Sequence, residues 1–121
     1  MPSDNPILRL EDILANIELI QAYTRGYSYD DFVQDLMCQD AMERCVSRIS
    51  EAASKLEGSI EGIIPDQPWL QIRAVGNVLR HEYDRANPIF IWKAVSEDLQ
   101  PLKTAIQSAL DRVRRETPDN L

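Results

Sequence analysis

The chain has 121 residues, a net charge of −7 from 13 Lys+Arg against 20 Asp+Glu, 44% hydrophobic residues and 27% charged ones. That length fits one domain, and the mix is that of a globular chain able to bury a core, which excludes wholesale disorder. Only 4 glycines argue for long helices over a turn-rich β fold, and the acidity excludes broad coating of a phosphate backbone while leaving room for a local cationic site.

No run of about 18 apolar residues is present, so no transmembrane helix is expected. Met1-Pro2-Ser3-Asp4-Asn5 lacks the basic and apolar regions of a secretory signal, so a cytoplasmic location is expected. Cys38 and Cys45 lie seven apart on one expected helix, roughly 10 Å of rise, beyond disulfide reach. They read as small buried hydrophobes. With one histidine, the chain offers no zinc cluster, and no metal or cofactor is expected.

In chain order, Ile7, Leu10, Ile13, Leu14, Ile17, Leu19 and Ile20 recur three and four apart, predicting an amphipathic helix over 7–25 that ends near Gly26. Ser28, with Asp31 three residues on, offers an N-cap. A long helix over about 29–57 is expected next, marked by Phe32, Leu36, Val46, Ile49, Ala53 and Leu56 and closed by Gly58. Gly58, Gly62, Pro65 and Pro68 read as a loop. A third helix is expected from Trp69 to about Tyr83. Asn87 as N-cap and Pro88 at N1 restart the chain into a short helix with Ile89, Ile91, Trp92 and Val95. Pro101 interrupts or begins the last helix, which carries Leu102, Ile106, Leu110 and Val113. Residues 117–121 read as a frayed tail. The expected fold is all-α: a single domain over 1–121, an antiparallel up-and-down bundle of four to five helices.

The third helix carries the chemistry. At about 100° per residue, Arg73, Asn77, Arg80, His81 and Asp84 fall within one arc of roughly 100°, while Ile72, Val75, Val78, Leu79 and Tyr83 take the other side. Asn77 and His81 are i,i+4 neighbours. Between Trp69 and Lys93 the bases Arg73, Arg80, Arg85 and Lys93 outnumber the acids Glu82 and Asp84, in a chain that is acidic as a whole. A histidine serves as general base or acid near neutrality, and guanidinium groups bind phosphate and stabilise charge developing on it. One base and one cation suffice to promote attack of a ribose 2′-hydroxyl on its own phosphate. The bland alternative is a solvated helix face with an exposed histidine.

Residues 68–83, Pro68-Trp69 through Gly76-Asn77 to His81-Glu82-Tyr83, resemble the signature of the HEPN superfamily in its HepT-like branch: Pro-Trp, an Arg-Asn pair, then His-x-Tyr. The resemblance extends to Leu10-Glu11-Asp12-Ile13-Leu14, to Gln39-Asp40-Ala41 with Arg44, to Ser50-Glu51-Ala52 where the family has Gly-Glu-Ala, and to Leu99-Gln100-Pro101-Leu102. It implies a HEPN-type bundle that forms a homodimer. It also implies a metal-independent endoribonuclease, acting on RNA as the toxin of a type VII-like toxin–antitoxin pair. The implied partner is an MntA-type nucleotidyltransferase antitoxin that silences the toxin by transferring AMP to a tyrosine. Carried over, His81 is the catalytic histidine, Asn77 the Asn of the Arg-Asn pair, and Tyr83 the AMP acceptor.

One departure stands out. The family's arginine position, directly before the Asn, is Gly76 here. Arg73, one turn earlier, or Arg80, beside His81, can replace the lost cation. The alternative is a catalytically inactive module that dimerises and binds the nucleotidyltransferase. Asp40, Arg44, Ser47 and Glu51, spaced four, three and four apart, read either as a solvent face or as a second cleft wall in which Asp40 or Glu51 orients an arginine. Trp69 and Trp92 read as packing residues. Arg112, Arg114 and Arg115 suit the C-terminal end of a helix and need no ligand.

Overall fold

A computed structural model describes residues 5–56, 58, 60–70, 72, 73 and 88–116. Every regular element among them is helical. The first helix, α1 (Pro6–Tyr23), begins at Asn5, whose side chain accepts from Leu8 N at 3.1 Å, with Pro6 in the first turn, where a missing N–H costs nothing. It ends on Thr24, and Gly26 turns the chain at φ +79°, a left-handed conformation that suits glycine.

The expected helix over 29–57 is two helices. The first, α2 (Tyr29–Val33), opens on a full capping box between Ser28 and Asp31, as the sequence suggests. The chain then breaks at Gln34–Asp35 and restarts as α3 (Leu36–Lys55). The break is built by side chains. Asp35 caps the new helix by accepting from Cys38 N at 2.9 Å and takes the Tyr27 phenol at 2.6 Å. Gln39, buried, donates to the carbonyl of Val33 and to that of Phe32, which also accepts from Asp35 N at 3.2 Å. Leu36, an apolar marker of the expected helix, lands on the rim of this corner at 60% exposure.

Within the expected loop, a single turn α4 (Ile60–Ile63) forms after Gly58, which has φ +88°. Next, α5 starts at residue 69, with Ile72 N bonded to the Pro68 carbonyl at 2.9 Å. After Pro88 come α6 (Ile89–Lys93), a wide π-type turn over Ala94–Asp98, and α7 (Leu99–Glu116). Asn87 lies outside the described residues, and Pro88 itself takes the cap position, its carbonyl accepting from Trp92 N at 3.2 Å. Pro101 neither interrupts nor begins α7. It sits in the third position of the helix, just after the π-type turn, where the looser winding tolerates its missing N–H.

Both α3 and α7 run antiparallel to α1. At one end Arg114 of α7 bonds Glu11 of α1 at 2.7 Å; at the other, Gln21 of α1 meets Gln100 and Lys103 of α7. Likewise the Cys38 thiol near the start of α3 lies 3.9 Å from the Tyr23 carbonyl at the end of α1. The seam is filled by Leu10, Ile13, Ile17 and Ile20 of α1, Met42, Cys45 and Ile49 of α3, and Leu102, Ile106 and Leu110 of α7, all buried. This is the expected all-α antiparallel bundle. Both cysteines are free and buried, and burial raises both thiols above their ordinary pKa. Trp69 is buried as packing, with its indole N–H on the Ile64 carbonyl at 2.6 Å, and Trp92 packs on Phe32 at 5.2 Å between ring centres. Among the described residues no helix is long and apolar enough to cross a membrane.

Candidate functional site

Arg73 is the one member of the expected catalytic face among the described residues; Asn77, Arg80, His81 and the acceptor Tyr83 lie outside them. Arg73 is held at both its backbone and its side chain. Its carbonyl accepts the Ser50 hydroxyl at 2.9 Å, which ties the first turn of α5 to α3. Its Nη1 lies 2.7 Å from Glu61 Oε1, and both atoms are shut off from solvent. The pair has the distance of an ion pair without the angles of a hydrogen bond.

Glu61 belongs to the single turn α4, and its other oxygen, Oε2, accepts from Gly58 N at 2.9 Å. Partial burial pushes this carboxyl upward, but the Arg73 guanidinium and the Gly58 N–H outweigh it and hold the group below its ordinary pKa. The carboxylate is therefore charged at neutral pH and anchored on two sides. The Arg73 side chain keeps 16% exposure, so the cation is partly open and partly neutralised.

The expected second wall is laid out on α3. Asp40, Arg44 and Glu51 are all exposed, one or two turns apart. Glu51 pairs with Lys55, one turn on, at 3.7 Å, and with no arginine among the described residues. Arg73 takes its carboxylate from Glu61, which helical spacing does not single out. No helical spacing links Glu61 to Arg73, twelve residues away across a Pro-containing turn, so periodicity carries no signal of the contact. Ser50 entered the sequence reading only as part of the Ser-Glu-Ala tripeptide; its role is to hold the Arg73 carbonyl.

Beside the start of α5, Ile72 borders a cavity of about 370 Å³ lined largely by apolar side chains of α3, the π-type turn and α7, with the carboxylates Asp66 and Asp98 at its wall. That lining does not suit a phosphate. Among the described residues no three His, Cys, Asp or Glu side chains gather as metal ligands would.

The family described as Ribonuclease HepT-like matches residues 13–109. The chain belongs to the HepT-like family. The match runs from α1 to α7 and takes in the whole His81 segment. A chain named "Probable ribonuclease HepT" from Thermococcus cleftensis is 34% identical over 94 residues, covering 78% of this chain and 86% of that one. Two further relatives bear names that make each a candidate RNase. One, from Methanocaldococcus jannaschii, is 28% identical over 98 residues, 81% of this chain and 90% of its own. The other, from Caldanaerobacter subterraneus, is 28% identical over 103 residues, 85% and 92%. No solved structure matches. In this HepT-like chain the arginine nearest Gly76 in sequence, Arg73, comes with its own carboxylate.

Proposed function

We propose that this chain is a metal-independent endoribonuclease, the toxin of a toxin–antitoxin pair. Membership of the HepT-like family across residues 13–109 carries the reading. In it His81 takes the proton from a ribose 2′-hydroxyl, the freed oxygen attacks the adjacent phosphorus, and the P–O5′ bond breaks as the 5′-oxygen takes a proton from water. The products are a 2′,3′-cyclic phosphate and a 5′-hydroxyl end. Arg73 and Arg80 hold the phosphate and the charge that builds on it, and Asn77 positions it. Glu61 and Ser50 fix Arg73 at the side chain and the backbone. Asp40, Arg44 and Glu51 line the approach on α3. Two chains form a homodimer around the cleft.

Incubating the purified protein with end-labelled RNA in the presence of a chelator tests this. Cleavage is expected from the wild type and not from His81→Ala. Equal cleavage by both would refute the role of His81.

The partner in this reading is an MntA-type nucleotidyltransferase that moves AMP from ATP onto Tyr83. Intact-mass measurement after incubation with that enzyme and ATP should show one added AMP per chain, and Tyr83→Phe should prevent it. An unmodified wild type beside a demonstrably active enzyme would remove this part of the reading.

A second reading is favoured by Gly76 in the motif arginine's place and by the Glu61 partner that Arg73 already has. Here the chain is a non-catalytic dimerisation module that binds the nucleotidyltransferase. RNA cleavage by the wild type that disappears in His81→Ala would exclude it.

A further inference from the structure

The seam between α1 and α3 opens into a polar cavity of about 280 Å³. Arg9, Asp12 and Asn16 of α1 and Arg48, Glu51 and Lys55 of α3 line it. Four of its five charges are matched locally in two pairs, since Arg9 lies 3.4 Å from Asp12 and Lys55 lies 3.7 Å from Glu51. Arg48 is exposed and forms no ion pair with a described residue. The cavity therefore carries an uncompensated positive charge in a chain of net charge −7.

Its wall holds a second unmet demand. Asn16 is only 9% exposed. Its Nδ2 donates to the Asp12 carbonyl at 2.8 Å, which fixes the amide orientation and leaves Oδ1 as a buried acceptor with no donor. A buried acceptor without a partner costs roughly 1–3 kcal/mol, so a ligand that brings a donor is favoured there. The cavity thus asks for an anion and a hydrogen-bond donor close together. A ribose–phosphate unit offers both, as a phosphate for Arg48 and a 2′-hydroxyl for Asn16 Oδ1.

We propose that the α1–α3 seam is a binding subsite for a ribose–phosphate unit of single-stranded RNA, with phosphate on Arg48 and the sugar hydroxyl on Asn16. The placement favours a strand over a free nucleotide. Arg44, also exposed, lies one turn before Arg48 on α3, and Ser50, which holds the Arg73 carbonyl, is the next residue to Glu51 of the seam. A strand on this seam runs along the same helix that anchors the start of α5. The proposal rests on the RNA-cleaving reading for its choice of ligand, but it concerns binding and is measured without cleavage.

The test is fluorescence anisotropy with a labelled oligoribonucleotide of about eight nucleotides and the DNA oligomer of the same sequence, both in the His81→Ala background. Arg48→Gln should weaken RNA binding by about tenfold, the worth of one charge-assisted hydrogen bond, and flatten the log–log salt dependence by about 0.7. Asn16→Leu, similar in size, should leave DNA binding in place and shrink the preference for RNA over DNA by roughly three- to tenfold. Thermal unfolding of both variants checks that the bundle is intact. If Arg48→Gln binds RNA as the parent does, or if folded Asn16→Leu keeps the full RNA preference, the subsite is wrong. AMP binding as tightly as the oligomer would overturn the strand in favour of a free nucleotide. Loss of cleavage in the wild type with binding retained would defeat the nuclease reading and leave this subsite standing.

Discussion

Glu61 meets Arg73 at 2.7 Å across the turn from α4 to α5, and the same carboxylate holds the Gly58 N–H through its other oxygen. One acid thus pins a left-handed glycine and the first cation of the candidate site. The contact places a negative charge beside the residue nearest the vacated motif position, so the strength of Arg73 as a phosphate ligand depends on Glu61.

Replacing Glu61 with Gln keeps an acceptor for Gly58 and removes the charge. The Glu61 side chain is 39% exposed, so the cost in stability is modest, about 0.2–1 kcal/mol. The pH dependence has a definite sign. The folded carboxyl lies below its ordinary pKa, so its contribution is present above the ordinary carboxylate range and is lost as pH falls through the folded value. Thermal unfolding from pH 7 to pH 3 should show the wild-type advantage over Glu61→Gln shrinking toward zero. A constant gap would mean that the charge is not what stabilises the turn.

Asp35 sets the corner that splits the expected long helix. The Tyr27 phenol and then the Cys38 N–H hold its carboxyl below the usual range, and the same bond raises the Tyr27 phenol. Asp35→Asn keeps a good capping side chain and loses the charge; Asp35→Ala loses both. The melting temperature at pH 7 should fall in the order wild type, Asn, Ala. The gap between wild type and Asn should close as pH drops through the folded Asp35 value. An Ala variant as stable as the wild type would show that the corner stands without its cap.

Phe32 ties that corner to the core. It is fully buried and packs on Trp92 of α6. Phe32→Ala should cost about 3–5 kcal/mol, a large share of the roughly 5–15 kcal/mol that holds such domains together. Met37, two residues into α3 and 82% exposed, provides the control, since Met37→Ser should stay within about 0.5 kcal/mol. Urea denaturation midpoints at constant slope check both.

Much of the bundle was legible because burial follows helical period. Leu10, Ile13, Ile17 and Ile20 recur at three and four and all reach zero exposure, and Leu102, Ile106 and Leu110, spaced by four, are buried on α7. Ser28 and Asp31 formed the capping box their spacing announced. The break at Asp35 was hidden because Phe32 and Leu36 keep an i,i+4 spacing across it, and the interruption rests on Tyr27 and Gln39, whose partners are tertiary. At the candidate site, the spacing singled out Arg73 and could not reveal Glu61, because a contact across a turn has no period. The same limit hid the Asn16 acceptor, which is defined by the α1–α3 seam.

Gly76 gives the sharpest test of which arginine acts. It lies three residues after Arg73, on the same side of the expected helix and in the place of the family's motif arginine. If Arg73, already paired with Glu61, is a weakened substitute, restoring the motif arginine should add a cation that has no carboxylate of its own. Gly76→Arg is then expected to raise RNA cleavage by about 10- to 100-fold, approaching what one well-placed donor contributes to charge stabilisation. It should also remove most of the penalty of Arg73→Gln. Single-turnover rates of the four combinations at positions 73 and 76, each with a His81→Ala control, measure the coupling. A Gly76→Arg protein no faster than the wild type, together with a slow Arg73→Gln, would establish that Arg73 supplies the full cation despite its Glu61 partner.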